Sequence, residues 1–361
     1  MPQINRFSPG ALPDDCADLL PRFGLSVANL LTSDRQNAKL NKGRAVARSV
    51  ILHHPPARWL SLAITPDNPH PTAARAFNPG LLELAERERI TAAIHAHNGC
   101  PWATAGCGGS PGGGCLAFAG HGGMGQTVSA ARGRRLMAYL KNPATYGRAV
   151  FYSVLRHLLT ARRDNLPLAV RLRGTDDLPW HRHAVEISSS EAVAIRDRYG
   201  VDVEAGVATM ATRLNAIPEL RPYEYSKAPV TGPLGLIAQR DPGTDITASF
   251  AADRPTAVRD SLAALAAGFR LAVPVNLPKG SPLPQALRLT AGGQTVIVAT
   301  SDGDLSDHRW MDPQGPDRLA LLLRQKRSRG ADPAVADAFS LAAHGLPQHL
   351  ADGTVQLIWP D

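Results

Sequence analysis

Cysteine is scarce in this chain, four among 361 residues, and no two are spaced Cys-x-x-Cys, so the arrangement fits no common zinc motif. Long apolar runs are missing as well. Nothing approaches the length needed to span a bilayer, and the opening Met-Pro-Gln-Ile-Asn-Arg-Phe lacks the apolar core of a signal peptide. Both absences point to no membrane and to the cytoplasm, where thiols stay reduced. There is no repeat, no coiled coil and no phosphate-binding glycine signature. With 44% hydrophobic and 19% charged residues the composition is globular and not disordered, and the length allows a sizeable core without help from a metal.

What the chain does have is local concentration. Cys100, Cys107 and Cys115 fall on its most glycine-rich stretch, while Cys16 stands apart. Glycine lets a backbone fold closely around an ion, so three thiolates there can converge on one soft metal centre. Zinc needs a fourth ligand, for which His95, His97 and His121 are the nearest candidates. Three cysteines alone suit an iron-sulfur cluster, 4Fe-4S, with one iron left open. One disulfide with a spare thiol, or three small buried residues on a turn-rich loop, are the alternatives.

Net charge is +8, supplied mostly by arginine, which favours a polyanionic partner such as nucleic acid or a nucleotide-like substrate. Candidate phosphate contacts are Lys39 and Lys42, and the cluster Arg324, Lys326, Arg327 and Arg329. Solvated arginine faces are the plain alternative.

Residues 1–24 are proline-punctuated and read as an irregular N-terminal arm. Residues 25–330, with the cysteine loop at 98–123, read as one α/β domain, and 331–361 as a C-terminal extension packed on it. Residues 129–163 are helical in pattern, with a break at Asn142-Pro143 and an apolar face of Val150, Phe151, Val154, Leu155, Leu158 and Leu159. Short apolar strands then end in polar groups: 168–173 before Asp176 and Asp177, 222–226 before Lys227, 269–275 before Asn276 and Lys279, and 295–300 before Asp302. Helices between such strands, clearest at 256–267, predict a mainly parallel sheet, a partial or complete (β/α) barrel. Ligands gather at carboxyl strand ends in these folds, which would put Cys100, Asp176, Lys227, Lys279 and Asp302 on one rim.

The ordered motifs Asn37-x-Lys39-x-x-Lys42-Gly43, Cys100-Pro with Cys107 and Cys115-Leu-Ala, Arg171-x-x-Gly174-x-Asp176 and Tyr225-Ser-Lys227 resemble the phage and plasmid family catalogued as gene product 88, over roughly residues 25–310. That resemblance implies a mobile-element protein and carries no activity with it. A remoter similarity is to radical S-adenosylmethionine enzymes, whose three-cysteine loop is Cys-x-x-x-Cys-x-x-Cys; the gaps here are six and seven residues. It implies a four-iron cluster with S-adenosylmethionine on the open iron.

Three functions follow as expectations. The first is a cluster-dependent, radical-SAM-like enzyme on a nucleic-acid or nucleotide-like substrate, with Asp176, Lys227 and Asp302 as catalytic candidates and Arg171, Arg173, Asp177, Tyr225, Asn276 and Lys279 as substrate contacts. The second is a barrel enzyme of base exchange or glycosidic-bond chemistry, similar in outline to queuine transglycosylases, with a structural zinc. The third is a nonenzymatic nucleic-acid-binding protein with a zinc-stabilised loop.

Overall fold

The structure, a computed structural model, describes residues 12–36, 38–54, 100, 102–104, 107, 126–240, 243–312, 319–325 and 332–360. In chain order its elements are α1 (Asp14–Arg22), β1 (Thr32–Ser33), α2 (Ala38–Asn41), β2 (Arg48–Ile51), α3 (Gln126–Lys141), α4 (Pro143–Arg163), β3 (Leu168–Arg171), β4 (Ala184–Ile187), α5 (Ser189–Tyr199), β5 (Gly206–Thr209), α6 (Met210–Asn215), β6 (Leu220–Ser226), α7 (Leu236–Gln239), β7 (Asp245–Ser249), α8 (Ala257–Ala266), β8 (Arg270–Asn276), β9 (Ala286–Ala291), β10 (Gln294–Asp302), β11 (Leu319–Arg324), α9 (Pro333–Asp337), β12 (Leu341–Ala342), β13 (Gln348–Leu350) and β14 (Gly353–Ile358).

Asn142 and Pro143 divide the long helical stretch as their chemistry requires. The Asn142 side chain accepts from Thr145 N–H at 3.1 Å, and Pro143 occupies the first turn of α4, where no amide donor is needed. Val150, Phe151, Val154, Leu155 and Leu158 of α4 are fully buried, each contributing about 1.5–3 kcal/mol by leaving water. Residues 14–22, expected in an irregular arm, instead form α1. It packs on α4 and buries Cys16, Leu19 and Leu20. The Cys16 thiol donates to the Thr145 carbonyl at 3.5 Å, and burial, with the Asp15 charge, pushes it up to about 12. It is an inert core thiol at neutral pH.

The expected barrel does not form. Among the described residues the main sheet is open, twelve-stranded and mixed, in the order β1-β2-β3-β6-β7-β8-β11-β10-β9-β14-β13, with β12 also on β8. From β2 to β10 neighbouring strands are parallel; the outer pairs β1-β2, β10-β9, β9-β14 and β14-β13 are antiparallel. Closure would require the two borders of the parallel run to pair with each other. Here antiparallel strands occupy both borders. At one of them the β9-β10 hairpin turns on Gly292-Gly293, whose φ values of +56° and +79° give the reversed twist that a two-residue hairpin needs.

Apolar side chains form two clusters along this one sheet, the first holding α1, α4 and β3, the second α8, β8 and β14. Because the strands from β2 to β10 run the same way, their carboxyl ends share one edge. They do so in a line and not in a ring. Lys227, just past β6, and Asp302, at the end of β10, are four strand spacings apart, about 19 Å at ~4.8 Å each.

Candidate functional site

Two of the three clustered cysteines reach this edge beside β3 and β6. Lys227 follows β6 directly, and its ammonium donates to the Cys107 sulfur at 2.7 Å. Cys100 Sγ lies 3.9 Å from the Thr175 carbonyl, in the loop after β3. Burial pulls the Lys227 ammonium down, but the neighbouring Cys107 charge and hydrogen bond, with Asp177 and Cys100, more than offset it and raise the group above its ordinary value. Lys227 is therefore a held cation. The loop is docked by Arg254, which donates to the Trp102 carbonyl at 3.0 Å and to the Lys227 carbonyl at 2.6 Å, while Trp102 packs against the second apolar cluster. A small cleft lined in part by Ser226, Ser249, Arg254 and Asp260 opens beside it.

The loop after β3 is built from buried polar contacts. Asp177 accepts from Ser226 Oγ at 3.0 Å and from Lys227 N–H at 3.1 Å, which ties the ends of β3 and β6 together. Arg173, 2% exposed, donates to the Leu178 carbonyl and to Gln239, and its Nη2 contacts His181 Nδ1 at 2.8 Å. Both therefore frame the site and do not face solvent. Asp176 is likewise sealed: Oδ1 accepts from Leu178 N–H at 3.0 Å, and Oδ2 meets His54 Nδ1 at 3.1 Å. His54 Nε2 in turn contacts Tyr146 Oη at 3.0 Å, and the ring stacks on Trp180. A carboxylate so engaged orients His54 and caps its own turn.

Glu224, in β6, was not foreseen as a site residue. Its two oxygens accept from the backbone N–H groups of Leu172 and Arg173 at 2.9 and 3.0 Å, continuing the β3-β6 pairing past the last ladder bond. Burial pushes it up to about 7, against the opposing charges of Arg173 and Arg171 and the two backbone donors. The visible sign was an acid between Tyr223 and Tyr225, in a strand whose other charged residue, Arg221, is exposed. His54 and Arg254 were missed too, although both follow strands, as Asp176 does. Gly174 is dictated by close approach: a Cβ there would lie 2.4 Å from both His53 Nδ1 and the Leu52 carbonyl. Gly174→Ala is expected to cost about 1–3 kcal/mol in urea unfolding and to shift His53, because backbone and ring cannot both yield.

The remaining candidates are spread out. Arg171 lies over the Tyr225 ring at 4.5 Å. Asn276 is exposed and donates to Asp337 at 3.2 Å, and Lys279 is exposed. Asp302 forms an ion pair with Arg324 at 2.9 Å, so that arginine is held at the sheet edge. Lys42 is exposed; Lys39 lies in α2. Cys115, Lys326, Arg327 and Arg329 lie outside the described residues, as do His95, His97 and His121. Among the described residues no group of three His, Cys, Asp or Glu side chains stands ready to hold a metal.

A family model described as Gene product 88 matches residues 67–332, well over half of the chain. The chain belongs to the gene product 88 family. The match takes in Cys100, Cys107, Cys115, Asp176 and Lys227, and leaves out the Asn37 to Gly43 motif. It brings no radical S-adenosylmethionine kinship with it. No curated protein and no solved structure matches the chain. No helix among the described residues is long and apolar enough to cross a membrane.

Proposed function

We propose that this protein is a mobile-element enzyme whose reaction centre is an iron-sulfur cluster at the carboxyl edge of β3 and β6, acting on a nucleic-acid or nucleotide-like substrate. One observation carries the reading: Cys100 and Cys107, seven residues apart, are both seated at this edge beside the cationic Lys227. The Cys107 sulfur is the acceptor in that contact, and cysteine sulfur is a soft ligand suited to iron or zinc. The donor set fits in kind, with Cys100 and Cys107 as two ligands and Cys115 as the third. When bound, a cluster would supply electron transfer or an open iron for a substrate atom. Lys227 would hold the negative charge of the thiolates, and Arg254 would keep the loop docked. Trp102, packed on the apolar cluster, would limit water.

Protein prepared without oxygen should contain iron and inorganic sulfide together. Replacing either Cys100 or Cys107 with alanine should remove most of both, while Cys16→Ala leaves both in place. Zinc without sulfide would sink the cluster and favour a structural metal. Metal-free protein that keeps its fold would sink both readings.

A further inference from the structure

Lys227 and Cys107, 120 positions apart in the chain, are brought together by anchors on both backbones. The Lys227 N–H donates to Asp177 at 3.1 Å and the Lys227 carbonyl accepts from Arg254 at 2.6 Å, so the chain is fixed on either side of the lysine side chain. The cysteine loop is fixed through the same guanidinium. Arg254 Nη2 also donates to the Trp102 carbonyl at 3.0 Å, and within the loop Ala103 N–H donates to the Cys100 carbonyl at 3.0 Å and Cys107 N–H to the Thr104 carbonyl at 3.2 Å. Lys227 Nζ and Cys107 Sγ end 2.7 Å apart. That is the short end of nitrogen-to-oxygen hydrogen bonds, although sulfur is the larger atom. The cleft lined in part by Ser226 and Arg254 opens beside the pair and gives a small oxidant a way in.

We infer that Cys107 and Lys227 are an oxidative modification site, joined through a single oxygen atom as Sγ–O–Nζ when the metal-free protein meets dioxygen. An oxygen bonded to both atoms in a bent arrangement holds sulfur and nitrogen at nearly the separation already present, whereas a direct S–N bond would draw them much closer than 2.7 Å. Thiol, ammonium and dioxygen give the bridge, one water and one proton. The S–H bond, two N–H bonds and the O–O bond break, and one S–O and one O–N bond form. The second oxygen leaves as water with two of the hydrogens, and the third goes to solvent as a proton. Sulfur and nitrogen are oxidised and dioxygen is reduced. Oxidised cysteine sulfur is captured by the nucleophile that stands next to it, and the shared Arg254 anchor makes that nucleophile Lys227. Two molecules of a dithiol supply the four hydrogens that restore thiol, amine and water. The inference does not rest on the cluster: sulfur bound to iron is not free to bridge, and reduction of the bridge returns Cys107 as a ligand.

The test uses the whole chain, purified without oxygen and then kept anaerobic, exposed to air with an iron chelator, or exposed in the same way and treated with a dithiol. Intact mass should rise by about 14 Da on exposure, one oxygen gained and two hydrogens lost, and return after the dithiol; a sulfenic acid would add about 16 Da and a sulfinic acid about 32 Da. Peptide mapping of the exposed protein should place residues 107 and 227 in one linked fragment, a readout that needs no variant. Lys227→Arg, which keeps the charge, and Cys107→Ser should each abolish the gain, whereas Cys16→Ser should keep it. An unchanged mass in air, a loss of about 2 Da from a disulfide or a direct S–N bond, or a sulfinic acid at residue 107 with Lys227 unlinked would each overturn the bridge. So would a gain of the same size that persists in Lys227→Arg. Iron and sulfide measured on the anaerobic portion keep the two readings apart, since a cluster there with no bridge after exposure removes only the bridge, and a bridge in protein that never held iron removes only the cluster.

Discussion

Glu224→Ala is expected to lower unfolding free energy by about 2–4 kcal/mol and to loosen the join between β3 and β6 on which the cysteine loop rests. Two backbone N–H groups, of Leu172 and Arg173, lose their acceptor inside the protein, and each such loss costs about 1–3 kcal/mol. The nearby Arg173 charge loses an opposing carboxylate as well. Glu224 also sets a pH dependence. Its folded value of about 7 stands above the ordinary 4.5, so the folded state holds the proton more tightly than the unfolded chain. The stability it contributes is present below about 4.5, falls as pH rises towards 7, and changes little beyond, by about 3 kcal/mol over the window. Urea unfolding at pH 5 and pH 8 measures it, and Glu224→Gln should abolish this part of the slope. A wild-type protein whose stability rises over that window, with the variant unchanged, would refute the assignment.

Arg48→Met should have an effect at least as large, about 3–5 kcal/mol, because it leaves the carboxylate of Asp34 buried without its cation. The Arg48 side chain is 5% exposed and Asp34 1%; Nε stands 2.6 Å from Oδ2, and Nη2 donates to Oδ1 at 2.8 Å. A second partner, Asp164, is 39% exposed, so Asp164→Ala should cost no more than about 1 kcal/mol. The contrast separates a buried pair from a surface one through the same guanidinium. It also bears on function, because β2 delivers His53 and His54 to the edge where Asp176 and Gly174 meet them. Thermal unfolding of the two variants beside the parent decides it.

Elements with strong local chemistry were legible from residues alone. Asn142-Pro143 and the apolar stripe of α4 needed nothing distant to specify them, and strands β3, β6, β8 and β10 were visible as short runs ending in polar groups. The Gly292-Gly293 turn stands between two alternating runs, a hairpin signal as local as the helix cap. Strand β11 and the C-terminal strands β12 to β14 were not anticipated. Their places are set by pairing, β11 with β8 and β10, β12 with β8, β14 with β9 and β13 with β14, and pairing is not a local property of the sequence. The cysteine loop, Asp176, Asp177 and Lys227 were located by strand-end logic, which holds for open and closed sheets alike.

Sequence by itself determined the residue types at the edge: thiols on a glycine loop, a lysine and two aspartates just past apolar strands, and an arginine-rich surplus of charge. Tertiary structure decided which of them meet. Strand order is set by long-range pairing that local pattern does not encode, and antiparallel strands at both borders keep the sheet open, so Asp302 pairs with Arg324 far along the edge instead of facing Lys227. Burial then separated roles that sequence left alike. Asp176 and Asp177 are adjacent acids after one strand, yet one is turned inward to His54 and the other binds β6. Water is excluded from both, so the hydrogen bonds each finds in the folded chain, and not the residue type, fix what it does.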